Sequence, residues 1–360
     1  MFKGGRKGLV GLDIGSHAVK AVELRMARNG FELVNLGHLN LQSDTIVDGH
    51  IIDLNHVSDV INRIWVEQGF KTSTVATAIS GHAVIVKKIL LPQMSNEELD
   101  EQIQWEAEQH IPFDIKDVHV DYQVLRRRAE ASQMDLLLVA AKRDQIEEYA
   151  QLARNAKLKP MVCDIDAFTV QNLFEYSRTL PADQTIALIN VGASLSSLNI
   201  IANGVSAFTR EIANGGNGIT EEIQKQLNVP HEQAEAYKCG GSASADDPSR
   251  AGMVPQQVVQ VIEAVSDTIA AEIQRSLDFF MATSGEGEIA RIYVTGGSAN
   301  LAALARAIER RARVSVETWS PVEKLTIEAK EVDPLLLQAR AAQLSVALGL
   351  SLRKEKEARA

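Results

Sequence analysis

The sequence has few of the features that mark several common classes of protein. Its two cysteines, Cys163 and Cys239, lie far apart without CxxC or Cys/His spacing, so neither a disulfide framework nor a zinc site is expected. No window reaches the run of about 18 uncharged apolar residues that crosses a bilayer, and the N-terminus lacks a signal-peptide core. We therefore expect a protein of the reducing cytoplasm that meets a membrane only through partners.

The sequence also has fewer basic than acidic residues. Lys and Arg number 37 against 47 Asp and Glu, which gives a formal net charge of −10, and the run Arg126 to Arg128 is too short to line a face. Without a basic field, nucleic acid is not an expected partner. By contrast, 45% of the 360 residues are hydrophobic, which is near the globular average, and the length suits two domains of ordinary size.

The same strand pattern occurs twice in the chain. Two strands joined by a glycine-containing turn, followed by a third strand, are predicted over residues 8–41 and again over residues 185–210. A polar break at residues 181–183 separates the two copies. The repeat predicts two related domains that face each other across a cleft.

Residues 83–160 lie within the first domain and have strands and helices of a different spacing, which predicts a compact α+β insertion. Ser95 and Glu98 have the spacing of a capping box, so a helix is expected to start there. A single helix is predicted over Pro334–Leu352. The predicted organisation is a first domain over residues 1–82 and 161–182, the insert over 83–160, a second domain over 183–332 with a helical part over 216–285, the C-terminal helix over 333–352 returning to the first domain, and a charged tail over 353–360 without regular structure.

One segment has the composition of a phosphate-binding turn. Asp13 ends an apolar strand, Gly15 and Ser16 form the turn, and Lys20 follows on the next strand. Glycine lets backbone amides approach a phosphate, the serine can donate, the lysine adds positive charge, and the aspartate can hold Mg²⁺, usually through water. Taken alone, such a turn is equally typical of an ordinary hairpin.

Three segments of the second half strengthen this interpretation. The turn at residues 192–194 is equivalent to the first by the repeat, and two facing turns make a clamp for a polyphosphate. The Gly-Gly turn at residues 296–298 joins a strand to a helix start, which lets the backbone approach a base or a phosphate. Glu235 and Lys238 share a helical face, where they form either a surface ion pair or a contact for ribose and adenine.

The order of these elements resembles the superfamily of actin, sugar kinases and heat-shock chaperone ATPases over nearly the whole chain. The insert resembles the corresponding subdomain of the FtsA and PilM branch. The sequences GLVGLDIGS over residues 8–16 and VALGL over residues 346–350 favour the type IV pilus assembly (PilM) family. The resemblance implies an α/β fold with duplicated actin-like (ribonuclease H-like) domains around a nucleotide cleft.

The resemblance also implies ATP and Mg²⁺ as cofactors. Matched to the motifs of the superfamily, the expected cofactor-binding residues are Asp13, Gly15, Ser16, Lys20, Gly192, Ala193, Ser194, Gly216, Glu235, Lys238, Gly296, Gly297 and Ser298. The second phosphate motif usually begins with Asp, whereas this chain has Asn190, which keeps a carbonyl ligand but lacks the full charge for magnesium. Asp13 and Asn190 are the candidate metal ligands.

No catalytic residue can be assigned from the sequence. Asp166 stands where the first connecting helix of the superfamily begins, and it either faces the cleft or caps that helix. We therefore expect ATP binding with at most slow hydrolysis, and a role as a scaffold more than as a metabolic enzyme.

For partners, the resemblance implies that the cytoplasmic N-terminal peptide of a PilN-like inner-membrane protein docks in a groove between the first domain and the insert. The strand Val84–Leu91, with Ile85 and Ile89, and the helix that carries Trp105 are candidates for the groove wall, or their apolar residues form core. The resemblance further implies a ring or other homo-oligomer, contact with pilus motor ATPases, a peripheral place at the cytoplasmic face of the inner membrane, and a role in pilus biogenesis and twitching motility.

Two alternatives stay open at this point. An FtsA-like, filament-forming membrane tether of cell division shares the insert, but such proteins usually end in an amphipathic membrane helix, and residues 355–360 have no apolar face. A sugar kinase needs a catalytic aspartate and polar sugar ligands in the cleft, and none stands out in the sequence.

Overall fold

The structure is a computed structural model that describes residues 8–47, 49–128, 131–179, 183–240, 254–327 and 332–354. In chain order the strands are β1 (Val10–Ile14), β2 (Ala18–Ala27), β3 (Gly30–Asn40), β4 (Ile46–Val47), β5 (His50–Ile51), β6 (Thr74–Ile79), β7 (Val84–Pro92), β8 (Val118–Arg128), β9 (Gln133–Lys142), β10 (Lys159–Ile165), β11 (Thr185–Val191), β12 (Ser196–Ala202), β13 (Val205–Ile212), β14 (Ile289–Thr295), β15 (Val316–Thr318) and β16 (Thr326–Ile327). The helices are α1 (Leu54–Glu67), α2 (Asn96–His110), α3 (Arg143–Asn155), α4 (Asp166–Ser177), α5 (Gly216–Leu227), α6 (His231–Lys238), α7 (Gln256–Thr283), α8 (Ala302–Ala312), α9 (Pro334–Arg340) and α10 (Ser345–Ser351).

Two sheets of the protein share one strand order. The first runs β10-β6-β1-β2-β3 and has β16 as an additional edge strand. The second, read in the same direction, runs β15-β14-β11-β12-β13. In the first, β1 pairs antiparallel with β2 and parallel with β6. In the second, β11 pairs antiparallel with β12 and parallel with β14. The duplicated α/β fold predicted from the repeat is therefore confirmed.

The central strand of the first sheet is buried along its whole length, because helices cover both faces. On one face Val10 joins a core cluster with α1 and α3. On the other face α10 lies so close that a Cβ atom at Gly11 would stand 1.9 Å from the carbonyl oxygen of Ala347, and one at Gly349 would stand 2.0 Å from that of Thr169 in α4. Glycine at both positions lets α10 pack between β1 and α4.

The insert is built on the antiparallel sheet β7-β9-β8, with α2 over one of its faces. The capping box predicted at the start of α2 is confirmed, since the Glu98 amide donates to the Ser95 Oγ at 3.2 Å and the Ser95 amide donates to the Glu98 carboxylate at 2.8 Å. Strand β9 alternates its contacts: Leu136 and Leu138 pack under α2, whereas Leu137 between them lies on the opposite face of the sheet and lines a groove.

Helix α3 packs with the first sheet. Its residues Tyr149 and Leu152 belong to the core cluster of β1 and α1, and the strand that follows α3, β10, pairs with β6. Helix α3, which the sequence assigns to the insert of residues 83–160, thus buries its apolar face against the first sheet, and the bounds of the insert stay a prediction.

The C-terminal segment departs from the prediction of one helix over Pro334–Leu352. The structure divides it into α9, a 3₁₀ turn over Ala341–Leu344, and α10. Within that turn the Ala342 carbonyl oxygen accepts from the Gly296 amide of the second domain at 2.9 Å. The chain also reaches the first sheet before residue 333, since β16 pairs with β3. The last six residues of the predicted tail, 355–360, lie outside the described residues.

Helix α7 covers the second sheet with one apolar stripe that includes Ile269, Ile273 and Leu277. Its opposite face carries charged side chains, so the helix is amphipathic. Within the described ranges, none of the helices combines the length and the apolar composition that crossing a bilayer requires.

Candidate functional site

A cavity of about 650 Å³ lies between the two sheets, within the range of about 300–1,000 Å³ that is usual for small-molecule sites. Its walls come from both hairpin turns, from α5 and α6, from the turn after β14 and from the C-terminal segment. The lining includes all the residues that the motifs predicted: Asp13, Gly15, Ser16, Lys20, Asn190, Gly192, Ala193, Ser194, Gly216, Glu235, Lys238, Gly296, Gly297 and Ser298. The structure brings these segments together, and the role of each residue stays a prediction.

The first turn holds an acid and a base side by side. Asp13 and Lys20 are cross-strand partners in the β1–β2 hairpin, and the Lys20 ammonium donates to the Asp13 carboxylate at 3.0 Å. Both side chains are mostly buried. The Gly15 amide closes the turn on the Ala18 carbonyl oxygen at 3.1 Å.

The second turn repeats the geometry of the first and touches it. The Gly192 amide closes on the Leu195 carbonyl oxygen at 3.0 Å. The Ser194 hydroxyl donates to the Ser16 hydroxyl at 2.7 Å. The two turns therefore meet across the cleft, as the clamp interpretation requires.

Helix α6 contributes an ion pair to the wall of the cavity. The Lys238 ammonium lies 2.6 Å from the Glu235 carboxylate, and Thr220 of α5 donates to the same carboxylate at 2.7 Å. Burial opposes ionisation of Glu235, but the Lys238 charge and these hydrogen bonds outweigh it and lower its pKa. The pair is a partly buried part of the cavity wall, not the exposed surface pair of the alternative interpretation.

The Gly-Gly turn closes the cavity from the second sheet. Gly296 has a φ of 94°, and a Cβ atom there would stand 2.5 Å from both the Asn190 side-chain oxygen and the Val191 carbonyl oxygen. Only glycine fits this combination of positive φ and close approach. The Ser298 hydroxyl donates to the Gly192 carbonyl oxygen at 3.2 Å, which ties this turn to the second phosphate turn.

Asp166 faces the cavity and does not cap α4. The residue at the cap position of α4 is Ile165, which makes no side-chain capping bond, and Asp166 lines the cavity near Asp13. Burial, followed by repulsion from Asp13, raises the pKa of Asp166 to about 7, despite a hydrogen bond from Ser80. The structure therefore decides between the two interpretations that the sequence left open.

Sequence reasoning missed the wall that the C-terminal segment supplies. Arg340 and Gln343 line the cavity, and the Nε2 of His38 lies 2.8 Å from the Gln343 side-chain oxygen. Both residues sit where a continuous helix was expected, so no turn or glycine signal drew attention to them.

A second, larger groove of about 930 Å³ lies on the other side of α4. One wall is the face of the insert sheet that α2 leaves uncovered, including Leu137, Val139 and Ala141 of β9. The opposite wall is formed by α4 and by the end of β10, where Arg353 lies 3.1 Å from the Asp164 carboxylate. Residues 204–206 of the second domain also line it.

The structure separates the residues considered for a groove wall. Ile89 and Leu91 are buried in the core between the insert sheet and α2, and Ile85 packs partly buried against it, because alternate residues of a strand point to opposite faces. Trp105 is 62% exposed on α2 and lies outside the lining of this groove, whereas Asn96 and Asp100 of the same helix line it. The surface that docks a peptide stays a prediction.

The duplicated sheets, the cleft between them and the two facing glycine turns define an actin-like protein. The chain belongs to the type IV pilus assembly protein PilM family, whose family model matches residues 11–355. The family resemblance deduced from the sequence is thereby confirmed.

Comparisons with individual proteins agree with this assignment. The structure is similar to a PilM-PilN type IV pilus biogenesis complex, with a TM-score of 0.84 and 26% identity over 98% of this chain and 100% of that chain. It is similar in fold to MreB5 of Spiroplasma citri bound to ADP, with a TM-score of 0.51 and 13% identity over 96% of each chain. The sequence is 21% identical to cell division protein FtsA of Staphylococcus epidermidis over 358 residues, which cover 87% of this chain and 74% of that protein. The family match assigns the chain to type IV pilus assembly and not to the FtsA alternative.

Proposed function

We propose that this chain is an ATP-binding scaffold of the inner-membrane assembly that builds type IV pili. The observation that carries the proposal is that four segments far apart in the sequence, two of them equivalent by the repeat, line one cavity. The Gly15 and Gly192 turns would hold the phosphates, and Glu235 with Lys238 would hold the nucleoside. The fold shared with an ADP-bound MreB5 supports a nucleotide as the ligand.

Calorimetric titration of the purified protein with ATP, with and without Mg²⁺, tests this proposal. We expect saturable binding of ATP that Mg²⁺ strengthens. An absence of binding in both titrations would overturn the assignment of the cavity.

Asp13 and Asn190 would hold Mg²⁺ together with the phosphates, since magnesium in nucleotide sites needs only one or two side-chain oxygens besides the substrate and water. The amide of Asn190 carries no charge, so metal affinity is expected to be modest. Asn190→Asp restores the carboxylate with little change in shape, and we expect it to lower the Mg²⁺ concentration for half-maximal ATP binding by about tenfold. An unchanged requirement for Mg²⁺ would show that Asn190 is not a ligand.

Turnover of ATP is expected to be slow or absent. Asp166 lines the cavity near Asp13 and is the candidate for orienting a water molecule, but burial, followed by repulsion from Asp13, raises its pKa and so opposes its action as a base. A steady-state rate above about 1 per second, which is ordinary for enzymes, would contradict the scaffold role.

We further propose that the second groove docks the N-terminal peptide of a PilN-like membrane protein. The groove combines an uncovered apolar sheet face with carboxylates such as Asp121 and Glu175, which suits an extended peptide with apolar and basic residues. The similarity to a PilM-PilN complex supports this partner. The chain would then lie at the cytoplasmic face of the inner membrane through that partner, where contacts with motor ATPases and ring assembly follow from the family pattern.

Titration with a synthetic PilN-type tail, in the presence and absence of ATP, tests the docking proposal. We expect binding of one peptide per chain, and loss of binding when the peptide order is scrambled. Sedimentation with liposomes in the absence of any partner provides the counter-test, because strong lipid binding would favour a membrane tether over a scaffold.

A further inference from the structure

The C-terminal segment is interrupted at the edge of the nucleotide cavity. Helix α9 ends at Arg340, the turn over Ala341–Leu344 follows, and α10 begins at Ser345. Ala339, Arg340 and Gln343 of this region line the cavity. The break in the helix therefore coincides with the part of the segment that reaches the candidate site.

Contacts with both domains fix the interrupted region. The Gly296 amide donates to the Ala342 carbonyl oxygen at 2.9 Å, and the hydroxyls of Thr295 and Ser345 lie 2.6 Å apart, which joins the segment to the Gly-Gly turn of the second domain. The contact between Gln343 and His38 joins it to β3 of the first domain. Side chains that project from this region are held in place from both sides.

Arg340 is the charged side chain of this region. It is 8% exposed and lines the cavity. Burial first, and the Arg340 charge next, lower the pKa of His38 to about 3. Burial is also the largest cause of the lowered pKa of His17, which follows Ser16 in the first phosphate turn, and the Arg340 charge adds to it.

Arg340 shares the cavity lining with His17 of the first phosphate turn and with Lys238 of helix α6. Lys20 and Lys238 each lie within 3.0 Å of a carboxylate of the cavity. A third cation in this wall makes the cavity more favourable for a polyanion.

We propose that Arg340 binds the phosphate chain of the nucleotide. Arginine suits this task because its planar guanidinium donates two parallel hydrogen bonds to phosphate oxygens. The proposal rests on the proposed binding of ATP in this cavity, and it adds a contact from a third chain segment that no glycine motif of the sequence indicates.

Calorimetry with ATP, ADP and adenosine tests the proposal on wild type, Arg340→Gln and Arg340→Lys. We expect Arg340→Gln to weaken ATP and ADP binding by about tenfold or more and to leave adenosine binding within about twofold. Arg340→Lys keeps the charge but not the planar group that donates two parallel hydrogen bonds, and it should retain part of the affinity. Arg306→Ala, an exposed arginine on α8, is the matched control and should bind all three ligands as wild type does.

The outcomes separate this proposal from the one on which it rests. Failure of the wild type to bind ATP contradicts the nucleotide site itself. Wild-type affinity in Arg340→Gln, with normal binding by the wild type, overturns only the role of Arg340. An equal loss for adenosine and ATP overturns the phosphate contact, and circular dichroism melts of both Arg340 variants identify a loss that comes from unfolding.

Discussion

Ser16 and Ser194 join the two halves of the protein, because the Ser194 hydroxyl donates to the Ser16 hydroxyl at 2.7 Å although 178 residues separate them in the chain. Each serine stands in one of the two equivalent turns. A phosphate held between the turns would accept from both hydroxyls in place of this mutual bond. The contact thus marks the position at which we expect the nucleotide to join the two domains.

The double variant Ser16→Ala/Ser194→Ala tests this relation. We expect it to weaken ATP binding by about tenfold or more, because two hydrogen bonds to a charged group are lost. Calorimetry with ATP measures the effect, and Ser73→Ala, at an exposed position outside the cavity, serves as the control. Wild-type affinity in the double variant would remove the turns from the phosphate site.

Asp13→Ala is expected to weaken binding of ATP in the presence of Mg²⁺ by about tenfold or more, since the carboxylate is the one charged metal ligand predicted. The fold should persist, although Lys20 loses the partner that lies 3.0 Å away and stability falls by about 1–3 kcal/mol. Titration with Mg²⁺-ATP and with ATP in EDTA distinguishes the loss of a metal ligand, which affects only Mg²⁺-ATP, from a general disturbance of the site, which affects both. An equal affinity of Asp13→Ala and wild type for Mg²⁺-ATP would count against the site.

Glu211 on β13 should make stability depend on pH. Its Oε2 atom is buried and makes no hydrogen bond within the described part of the chain. Burial, and then the nearby Asp166, raises the pKa of Glu211 from 4.5 to about 8. Between these values the folded protein keeps a proton that the unfolded chain releases, so the stability contributed by this group falls as the pH rises from about 4.5 to about 8.

Glu211→Gln removes this titration. We expect the variant to exceed wild type in stability by about 1 kcal/mol or more at pH 8.5, and by less at pH 5.5, because each pKa unit corresponds to about 1.4 kcal/mol. Urea unfolding at both pH values measures the difference. Glu288→Gln, at an exposed position, should show no such trend, and a pH-independent difference for Glu211→Gln would contradict the prediction.

Val139→Asp should weaken docking of a PilN-type tail and leave ATP binding unchanged. Val139 is half-buried on the sheet face that lines the groove, so a carboxylate there adds charge to an apolar wall and costs affinity of about tenfold or more. Fluorescence anisotropy with a labelled tail measures docking. Trp105→Ala, on α2 and outside the groove, should bind the tail as wild type does; loss of binding in this variant alone would move the docking surface to α2.

The sequence by itself determined the elements whose signals are local. The strand–turn–strand repeat, the capping box at Ser95 and the glycine turns depend on spacings of a few residues, and each of them is found in the structure as expected. The gathering of these turns around one cavity also followed from the sequence, because a repeat of equivalent hairpins implies equivalent positions in two paired domains.

Tertiary structure alone decided which partners the remaining segments have. The C-terminal helix is interrupted after Arg340, where the Ala342 carbonyl oxygen accepts from the Gly296 amide and the Gln343 side chain contacts His38, and both partners lie far away in the chain. Likewise, the packing of α2 on the insert sheet buried Ile89, with Ile85 partly buried beside it, and the assembly of the cleft brought Asp166 to the cavity. Local pattern states that a residue is apolar or charged, but the face it presents depends on the packing of distant elements, which no local spacing encodes.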